Sequence, residues 1–252
     1  MKIKPLAIEN FQMNQTNSTC MWLLFISYSM VLVLANWFDV RIISFLNLNT
    51  DAGTLIFPFT FLLSNAITEV YGYKNARMAI WLGFAFNILF IVYGQIVIHM
   101  PSPDFQTNNI AFDNLFDSSV RVILASTASY FFAEPLNSLV MSKLKMKFNG
   151  KHKAFRFLAS TVVASFADSF IFGFVAFYGI WNDENLINFC LTMWLIKVFI
   201  EFCGLPFSVR LTSYLKKKDQ VDIYDINTKY TFFSLERNYN KENNKYRDEN
   251  DG

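Results

Sequence analysis

The sequence predicts an all-α integral membrane protein, a bundle of six transmembrane helices with both termini on the cytoplasmic side. Three observations predict it: an apolar composition, six long apolar stretches and an uneven distribution of basic residues. Of the 252 residues, 53% are hydrophobic and 18% aromatic, whereas only 17% are charged, and the mean hydropathy is +0.27. Soluble domains carry about 25% charged residues. This much apolar surface is not compatible with water and favours a membrane protein.

Six stretches are long enough to cross the hydrocarbon core, which takes roughly 20 helical residues. They run over Met21–Phe38, Thr54–Glu69, Met78–Met100, Val120–Lys143, Phe157–Trp181 and Leu186–Tyr214. The second is expected to end at Tyr71-Gly72-Tyr73, and the sixth to bend or end near Pro206. The chain therefore divides into an N-terminal cytoplasmic segment (1–20), a transmembrane domain (21–214) and a cytoplasmic tail (215–252).

Basic residues fall almost entirely on one side of the predicted bundle. The outer loops hold only Arg41 and Arg121, together with acidic residues such as Asp39 and Asp51. The inner segments hold fourteen lysines and arginines: Lys2, Lys4, Lys74, Arg77, Lys143, Lys145, Lys147, Lys151, Lys153, Arg156, Arg210, Lys216, Lys217 and Lys218. Basic loops stay in the cytoplasm, so both termini are predicted to lie inside. The tail has eight basic and eight acidic residues and is expected to be solvated, with a disordered end.

Several functional classes are excluded. A formal net charge of +2 is too small to indicate nucleic-acid binding, and the three cysteines have no CxxC motif and no neighbouring histidine. They are interpreted as buried thiols without a metal or redox role. An intramembrane hydrolase would need histidine within the bilayer, whereas His99 lies at the edge of a predicted span and His152 in a loop. There is no HExxH, Walker or dinucleotide motif, so no catalytic residue, metal or cofactor is predicted.

Charged and polar residues inside the predicted spans mark the candidate site, because charges are costly in hydrocarbon and are usually functional there. Asp168 lies about 16 Å into the fifth span. Thr161, Ser165 and Asp168 share one face of that helix. Lys197 lies at similar depth in the sixth span, and Glu201 follows one turn later on the same face.

Other spans also carry polar residues, namely Asn65 and Glu69 in the second, Asn87 in the third, and Glu134 and Asn137 in the fourth. Lone amides more often join helices than bind substrates, and Asp168 and Lys197 could simply neutralise each other as a structural pair. Midplane polar groups on four helices are nevertheless too many for helix packing alone. They favour a central polar cavity that binds a solute, walled by aromatic residues such as Trp81 and Trp194.

Three short motifs resemble those of a known transporter family. They are Thr68–Arg77 (TEVYGYKNAR) followed by Ile80-Trp81 and Gly83; Ser160-Thr161 with Asp168-Ser169, Phe172 and Ala176-Phe177; and Lys197 followed by Pro206. In this order and on these spans they resemble the queuosine precursor transporters, a vitamin-uptake-transporter-like family. The resemblance covers most of the chain, from about Asn36 to Leu215.

The resemblance implies a six-helix carrier of the bacterial inner membrane that imports 7-deazaguanine bases, such as preQ0, preQ1 or queuine, for queuosine modification of tRNA. It implies a purine-like substrate and a lipid bilayer, with no direct contact to nucleic acid. A homo-oligomer or an energising partner is left open. The chain departs from the family at Asn65, where Asp is frequent, at Ala133-Glu134 and Asn137, where Gly-Gln and Asp are usual, and at Ser165, where Gln or Asn is common. The departures put the identity of the substrate in question.

The predicted substrate site takes its residues from five spans: Asn65, Glu69, Trp81, Asn87, Glu134, Asn137, Ser165, Asp168 and Lys197. A guanine-like base presents N1–H and an exocyclic amine side by side, and one carboxylate, from Glu134 or Asp168, can accept both. Lys197 would donate to the base carbonyl or keep Asp168 ionised. Glu134, Asp168 and Glu201 against one lysine leave the interior acidic, which suits a cationic precursor or proton coupling.

Two alternative functions stay open. The protein could be the substrate-binding membrane subunit of a vitamin uptake complex, which needs a separate energising module. It could also be a structural membrane protein that transports nothing. Uptake by the chain expressed alone separates the first alternative from a carrier, and saturable binding of a purine-like ligand excludes the second.

Overall fold

The computed structural model describes residues 18–45, 48–101, 103, 109–240 and 242–246. Within these ranges the chain forms α1 (Thr19–Phe38), the strands β1 (Ile42–Phe45) and β2 (Leu48–Asp51), a 3-10 turn (Gly53–Leu55), α2 (Pro58–Tyr71), α3 (Tyr73–Ile98), α4 (Asn109–Ser118), α5 (Val120–Lys147), α6 (Lys153–Phe177) and α7 (Asp183–Asp219). Most of the predicted N-terminal segment (1–17) and the last residues of the tail (247–252) lie outside the described residues.

Five helical segments are long and apolar enough to cross a membrane: Thr19–Phe38, Gly53–Tyr71, Tyr73–Ile98, Lys153–Phe177 and Asp183–Asp219. The protein is therefore a multi-pass membrane protein built as a helical bundle. The predicted fourth span is also helical, since α5 has 28 residues and is about 42 Å long at 1.5 Å per residue. It is more polar because it buries Glu134, Asn137 and Ser138, so the count of six spans stays a prediction.

Short connections join three pairs of consecutive helices: Gly72 lies between α2 and α3, residues 148–152 between α5 and α6, and residues 178–182 between α6 and α7. Ser18, the N-cap of α1, donates its hydroxyl to Asp219 at the end of α7. The described chain thus begins and completes its last helix at the same end of the bundle. We term this end the tail end, and the opposite end, which carries β1 and β2, the hairpin end.

Glycine and proline behave differently at the two predicted helix ends. Gly72 has φ of 83° and separates α2 from α3, as the sequence predicts. Glycine adopts such a φ without steric cost because it has no Cβ. A Cβ on Gly72 would also lie only 2.6 Å from the hydroxyl of Tyr239. An end of the last helix near Pro206 is wrong, because α7 continues through this residue to Asp219. Membrane helices tolerate proline because their surroundings satisfy the freed backbone groups.

A β-hairpin at the hairpin end departs from the all-α prediction. β1 and β2 pair antiparallel, with Ile42 opposite Asp51. Asp51 then caps the 3-10 turn, since its Oδ1 accepts from the Thr54 N–H at 2.6 Å and its Oδ2 from the Thr54 hydroxyl at 2.8 Å. Asp51 and Asp39 are both buried. The sequence places these two residues in an outer loop and does not predict that they are buried.

Two apolar clusters hold the helices together. The larger joins α1, α2 and α3 through side chains that include Phe25, Tyr28 and Phe61. The smaller joins α6 to α7 through Phe172 and Phe189, with Cys190 buried inside it. All three cysteines are free, but the prediction that all are buried holds only for Cys190, since Cys20 is half-buried and Cys203 is exposed. Cys203 lies on a face of a membrane helix, where an apolar thiol is compatible with lipid.

Residues 220–240 and 242–246, termed the tail segment, pack on the tail end. This differs from the solvated tail that the balanced charge predicts. Ile223 donates its N–H to the Val70 carbonyl at 3.0 Å. Ile223 and Tyr239 are buried in the larger apolar cluster. Asp225 accepts from the Tyr73 N–H at 3.1 Å. Aromatic and aliphatic residues lie between the charged residues of the tail. The apolar surface that they bury stabilises the packed tail segment, and the net charge of the tail does not predict this.

Tyr239→Phe is expected to lower the free energy of unfolding by about 1.5–3 kcal/mol, the range for a hydrogen bond to a charged group. The Tyr239 hydroxyl donates to Asp225 at 2.5 Å and accepts from the Lys74 N–H at 2.9 Å. Phenylalanine would remove one donor from Asp225, which keeps the Tyr73 N–H, and would leave the Lys74 N–H without its acceptor. Thermal unfolding of the full chain in detergent measures the loss. Tyr178→Phe, at an exposed tyrosine, is the control, and equal effects of the two changes would contradict the packed tail segment.

Candidate functional site: a buried polar cluster between the helices

A cluster of buried polar side chains from four helices lies in the middle of the bundle. Asn65 of α2 connects it: Nδ2 donates to Glu201 Oε1 of α7 at 3.1 Å and to Thr161 Oγ1 of α6 at 3.3 Å. Asn65 Oδ1 accepts from Asn137 Nδ2 of α5 at 3.2 Å. Ser160 Oγ lies 3.1 Å from the same oxygen. We term this group the central cluster, and all its members are buried: Asn65, Glu134, Asn137, Ser160, Thr161 and Glu201.

The central cluster has hydrogen-bonding capacity that the described residues do not use. Within the part of the chain that the structure describes, neither carboxylate oxygen of Glu134 has a hydrogen-bond partner, and the same holds for Glu201 Oε2 and Asn137 Oδ1. All four atoms are acceptors when the carboxyls are ionised. Buried polar groups are nearly always paired, so this cluster suits a ligand that brings several donors.

Two tyrosines form the aromatic side of this cluster. The hydroxyls of Thr60, Ser64 and Tyr28 lie next to the carboxyl of Glu134, but each is paired with another group. The Ser64 hydroxyl pairs with that of Ser138 at 3.1 Å. Thr60 donates to the Phe57 carbonyl at 2.8 Å, and Tyr28 donates to the Tyr130 hydroxyl at 3.0 Å. Both tyrosine rings are fully buried, with centroids 6.4 Å apart. Flat aromatic surface therefore lies beside the unused carboxylate of Glu134.

Asp168 and Lys197 pair between α6 and α7, on adjacent helices as the sequence predicts. Lys197 Nζ lies 2.5 Å from Asp168 Oδ2, and both side chains are buried. Asp51 and Asp39 also act on the charge of this lysine. Lys197 is the cation that lies beside these three carboxylates. Within the described ranges, no group of three or more His, Cys, Asp or Glu side chains is placed to hold a metal ion. We term the four residues the hairpin-end cluster.

Asp168→Asn is expected to cost only about 1–3 kcal/mol of unfolding free energy, because Lys197 keeps Asp39 and Asp51 as counter-charges. Lys197→Met should cost more, since it leaves three buried carboxylates without a cation. Thermal unfolding of the purified full-length variants shows which of the two changes lowers the stability more. A larger loss for Asp168→Asn would show instead that Asp168 and Lys197 form a closed pair.

Glu69 lies in a separate ion cluster at the tail end. Arg156 donates to both of its carboxylate oxygens, at 2.6 and 3.1 Å, and Lys216 Nζ lies 2.6 Å from Oε1. Lys145 donates to the Glu69 carbonyl at 2.5 Å and to Asp222 of the tail segment at 2.6 Å. We term these five residues the tail-end cluster. The structure does not bring Glu69 into the central cluster, because these cations already take both of its oxygens.

The two tryptophans predicted to wall the cavity lie elsewhere. Trp81 donates its indole N–H to the Phe232 carbonyl at 2.9 Å and stacks on the ring of this tail residue at 4.9 Å. Trp194 donates to the Val162 carbonyl at 3.1 Å, and both tryptophans are only half-buried. An apolar ring with a polar edge favours such boundary positions. The prediction that they wall the centre is wrong.

Two further predicted residues are buried but are hydrogen-bonded outside the central cluster. Ser165 donates to the Thr161 carbonyl of its own helix at 2.6 Å, a common use of a serine hydroxyl in a helix. Asn87 Nδ2 donates to Thr127 Oγ1 at 2.8 Å and so joins α3 to α5. These contacts match the interhelical alternative that the sequence leaves open for lone polar residues.

Sequence reasoning missed Asp39 and Asp51 of the hairpin-end cluster and the two tyrosines beside the central cluster. Asp39 and Asp51 were expected in outer loops, although Asp51-Ala52-Gly53-Thr54 has the spacing of an aspartate that caps a turn. Tyr28 and Tyr130 lie in the middle of apolar spans. A buried tyrosine hydroxyl usually finds a partner, so tyrosine at this depth is the signal for a polar contact.

Comparison with known proteins identifies the family. A family described as "Putative vitamin uptake transporter" matches residues 51–211, more than half of the chain. The chain belongs to this family. The family assignment made from the three motifs is therefore confirmed. The matched region contains the whole central cluster, whereas Asp39 and the tail segment lie outside it.

Two curated relatives share the family likeness. A protein of Bacillus subtilis (strain 168) named "Probable queuosine precursor transporter" is 28% identical over 188 residues, which cover 73% of this chain and 81% of the relative. A protein of Haemophilus influenzae with the same name is 33% identical over 129 residues, or 50% of this chain and 51% of the relative. No solved structure matches the chain.

Proposed function

We propose that the protein is a transporter of the bacterial inner membrane that imports queuosine precursors, the 7-deazaguanine bases preQ0, preQ1 or queuine, for queuosine modification of tRNA. Its family membership supports transport as the general role. The names of the two curated relatives support this class of substrate. The central cluster is the proposed binding site, with Glu134, Asn137 and Glu201 as the residues that hold the base.

The main support for this proposal is the set of unpaired hydrogen-bond acceptors in the central cluster. Glu134 offers two carboxylate oxygens and Glu201 one, all buried and without a partner among the described residues. A guanine-type edge presents two adjacent N–H donors, which fit a carboxylate in a bidentate manner. The rings of Tyr28 and Tyr130 lie on one side, where a flat base can pack. A ligand of this kind would satisfy groups that are costly to leave unpaired in a dry interior.

The tail end is proposed to face the cytoplasm, with the hairpin end outside. The basic residues of the loop 148–152 and of the end of α7 lie at the tail end and support this orientation, because basic segments are retained inside. The substrate would thus enter past the hairpin-end cluster and leave past the tail-end cluster. Every residue of the central cluster is buried, so the substrate would reach the proposed site only after a movement that opens the bundle.

Uptake of labelled preQ0 and preQ1 tests the proposal, in cells that lack their own synthesis and salvage of these bases. Expression of the full chain alone should restore uptake and queuosine in tRNA. Saturable binding to the purified chain without uptake would favour a subunit that needs an energising module. The absence of both binding and uptake would leave only a structural role and contradict the proposal.

Adenine is expected to compete with preQ0 at least about tenfold more weakly than unlabelled preQ1 does. Adenine lacks the adjacent N1–H and exocyclic amine, so it would leave an acceptor of Glu134 unpaired. Such a loss costs roughly 1–3 kcal/mol, and 1.4 kcal/mol corresponds to one decade in affinity. Competition binding to the purified full chain measures the ratio. Equal competition by adenine would contradict recognition of a guanine-type edge.

A further inference from the structure

The hairpin-end cluster places three carboxylates around one lysine. Asp39 Oδ2 accepts from the Ser126 hydroxyl at 2.5 Å. Its other oxygen packs against the backbone of Gly53, where an added Cβ would lie only 1.9 Å away. Asp51 caps the same turn through Thr54, so the two carboxyls are neighbours. With all groups ionised, three negative charges would face one positive charge in a buried place.

Lys197 reaches this group from α7. Its ammonium lies 2.5 Å from Asp168 and 4.6 Å from the ring centroid of Phe57, which follows the 3-10 turn. The lysine therefore contacts Asp168 on one side and lies near the 3-10 turn on the other, where Asp39 and Asp51 also act on its charge. It already occupies the place that a metal cation would take between these carboxylates, so a proton is the species that can neutralise the remaining charge.

Two unpartnered buried groups border the cluster. Asn36 lies one turn before Asp39 on the same face of α1 and is 1% exposed. Among the described residues, neither amide atom of Asn36 has a hydrogen-bond partner, and Asp168 Oδ1 has none either. Buried groups of this kind are commonly bridged by water. Water at these positions would connect the carboxyls in a path along which a proton can move.

We propose that Asp39, Asp51, Asp168 and Lys197 form a proton-binding relay at the hairpin end, which couples movement of the substrate to entry of a proton. The coupling rests on the proposed function, whereas the binding of a proton at this site does not. Asp39 has its neighbours on four elements: Asp51 at the end of β2, Ser126 on α5, Lys197 on α7, and Asp168 on α6 through the lysine.

Charge and burial support a proton at Asp39. Burial and the neighbouring Asp51 carboxylate raise the pKa of Asp39 well above its usual range, and the Ser126 hydroxyl and Lys197 only partly oppose this. Because the pKa is raised, Asp39 keeps its proton at a pH where exposed aspartates are ionised. Cys190 is the other titratable group that Lys197 acts on. Its thiol is buried and takes no part in the carboxyl contacts.

The relay links the proton to the central cluster through the lysine. With one proton held by Asp39 and Asp51, these two carry a single negative charge and Lys197 stays on Asp168. When the proton leaves one of their oxygens, they carry two negative charges and draw Lys197 away from Asp168. The freed charge of Asp168 then acts on Glu134, which it already influences. Proton binding at the hairpin end thus changes the charge that a substrate meets in the central cluster.

Infrared titration of the full chain in liposomes tests the proton site without any substrate. The wild type should show a protonated-carboxyl band that disappears only well above the usual range for aspartate. Asp39→Asn should lose this band or shift it. Asp51→Asn should do the same while preserving the turn, because asparagine also caps. Asp117→Asn, at an exposed aspartate of α4, should leave the band unchanged. An unchanged band in both Asp39→Asn and Asp51→Asn would overturn the relay.

Uptake of labelled preQ0 by the same liposomes tests the coupling. For one proton per base, a gradient of about one pH unit, acidic outside, should support about tenfold accumulation, since one unit corresponds to one decade. Asp39→Asn should still exchange labelled for unlabelled base but should no longer accumulate it. Accumulation driven by a sodium gradient without a pH gradient would overturn the coupling. A wild type that titrates but neither takes up nor exchanges preQ0 would refute the proposed function and leave the proton site standing.

Discussion

Glu69→Gln is expected to lower the free energy of unfolding by about 3–5 kcal/mol, the usual cost of removing one partner from a buried ion pair. Glu69 is fully buried and neutralises Arg156 and Lys216, with Lys145 close by. Glutamine keeps the volume but removes the charge. Arg156, itself fully buried, would then have only neutral acceptors, the glutamine amide oxygen and the Lys151 and Gly150 carbonyls, in place of a carboxylate. The loss should appear as a much lower unfolding temperature of the purified full chain.

Glu236→Gln provides a matched control for this change. Glu236 also pairs with a lysine, Lys74, at 2.8 Å, but its side chain is 63% exposed. Exposed ion pairs contribute little to stability because water and salt screen them, so the control should unfold close to the wild type. If Glu69→Gln unfolded at the same temperature as Glu236→Gln, the tail-end cluster would not hold α2, α6 and α7 together.

Glu134→Gln is expected to weaken equilibrium binding of preQ0 by about ten- to a hundredfold. A hydrogen bond to a charged group contributes about 1.5–3 kcal/mol, and 1.4 kcal/mol is one decade. The amide presents one acceptor oxygen in place of two, so it cannot receive both donors of a guanine-type edge. Binding of the labelled base to the purified full chain measures the change, and folding is checked by the unfolding temperature.

Glu184→Gln is the control, since Glu184 is an exposed carboxylate in the first turn of α7 at the hairpin end. It should bind preQ0 like the wild type. A Glu134→Gln variant with unaltered binding that only failed to accumulate the base would assign Glu134 to proton transfer. In that case the guanine-edge mechanism would be wrong while the transport proposal remained. Comparing binding with uptake for the same variant therefore decides the role of this residue.

The sequence alone determined the membrane bundle, the stop at Gly72 and the family. Each depends on information that is local in the chain. Twenty apolar residues form a helix in lipid because their backbone groups must be satisfied within the segment. A glycine between Tyr71 and Tyr73 permits the positive φ that separates two helices. The motifs from Thr68 to Lys197 carry the family likeness in their order.

The sequence also indicated which polar residues lie inside the bundle, but it did not predict that they form separate clusters. Depth along the helices suggested one site for Asn65, Glu69, Glu134 and Asp168. The structure separates them into three clusters, because Arg156 and Lys216 take both oxygens of Glu69. Helical periodicity shows which residues share a face of one helix. It does not show which other helix packs against that face. Only the packing of α2 against α5, α6 and α7 decides which acceptors remain unused.

The burial of residues in the loops and in the tail segment is determined by the tertiary structure alone. Asp39 and Asp51 lie between two predicted spans, and nothing in that position indicates that both are buried and act on the charge of Lys197. The tail looks solvated by its balanced charge, yet Ile223 and Tyr239 are buried on the end of the bundle. In both places the energy comes from contacts between residues far apart in the chain. A pattern along the sequence reports only composition and spacing. Neither of these predicts which residues from distant parts of the chain come into contact.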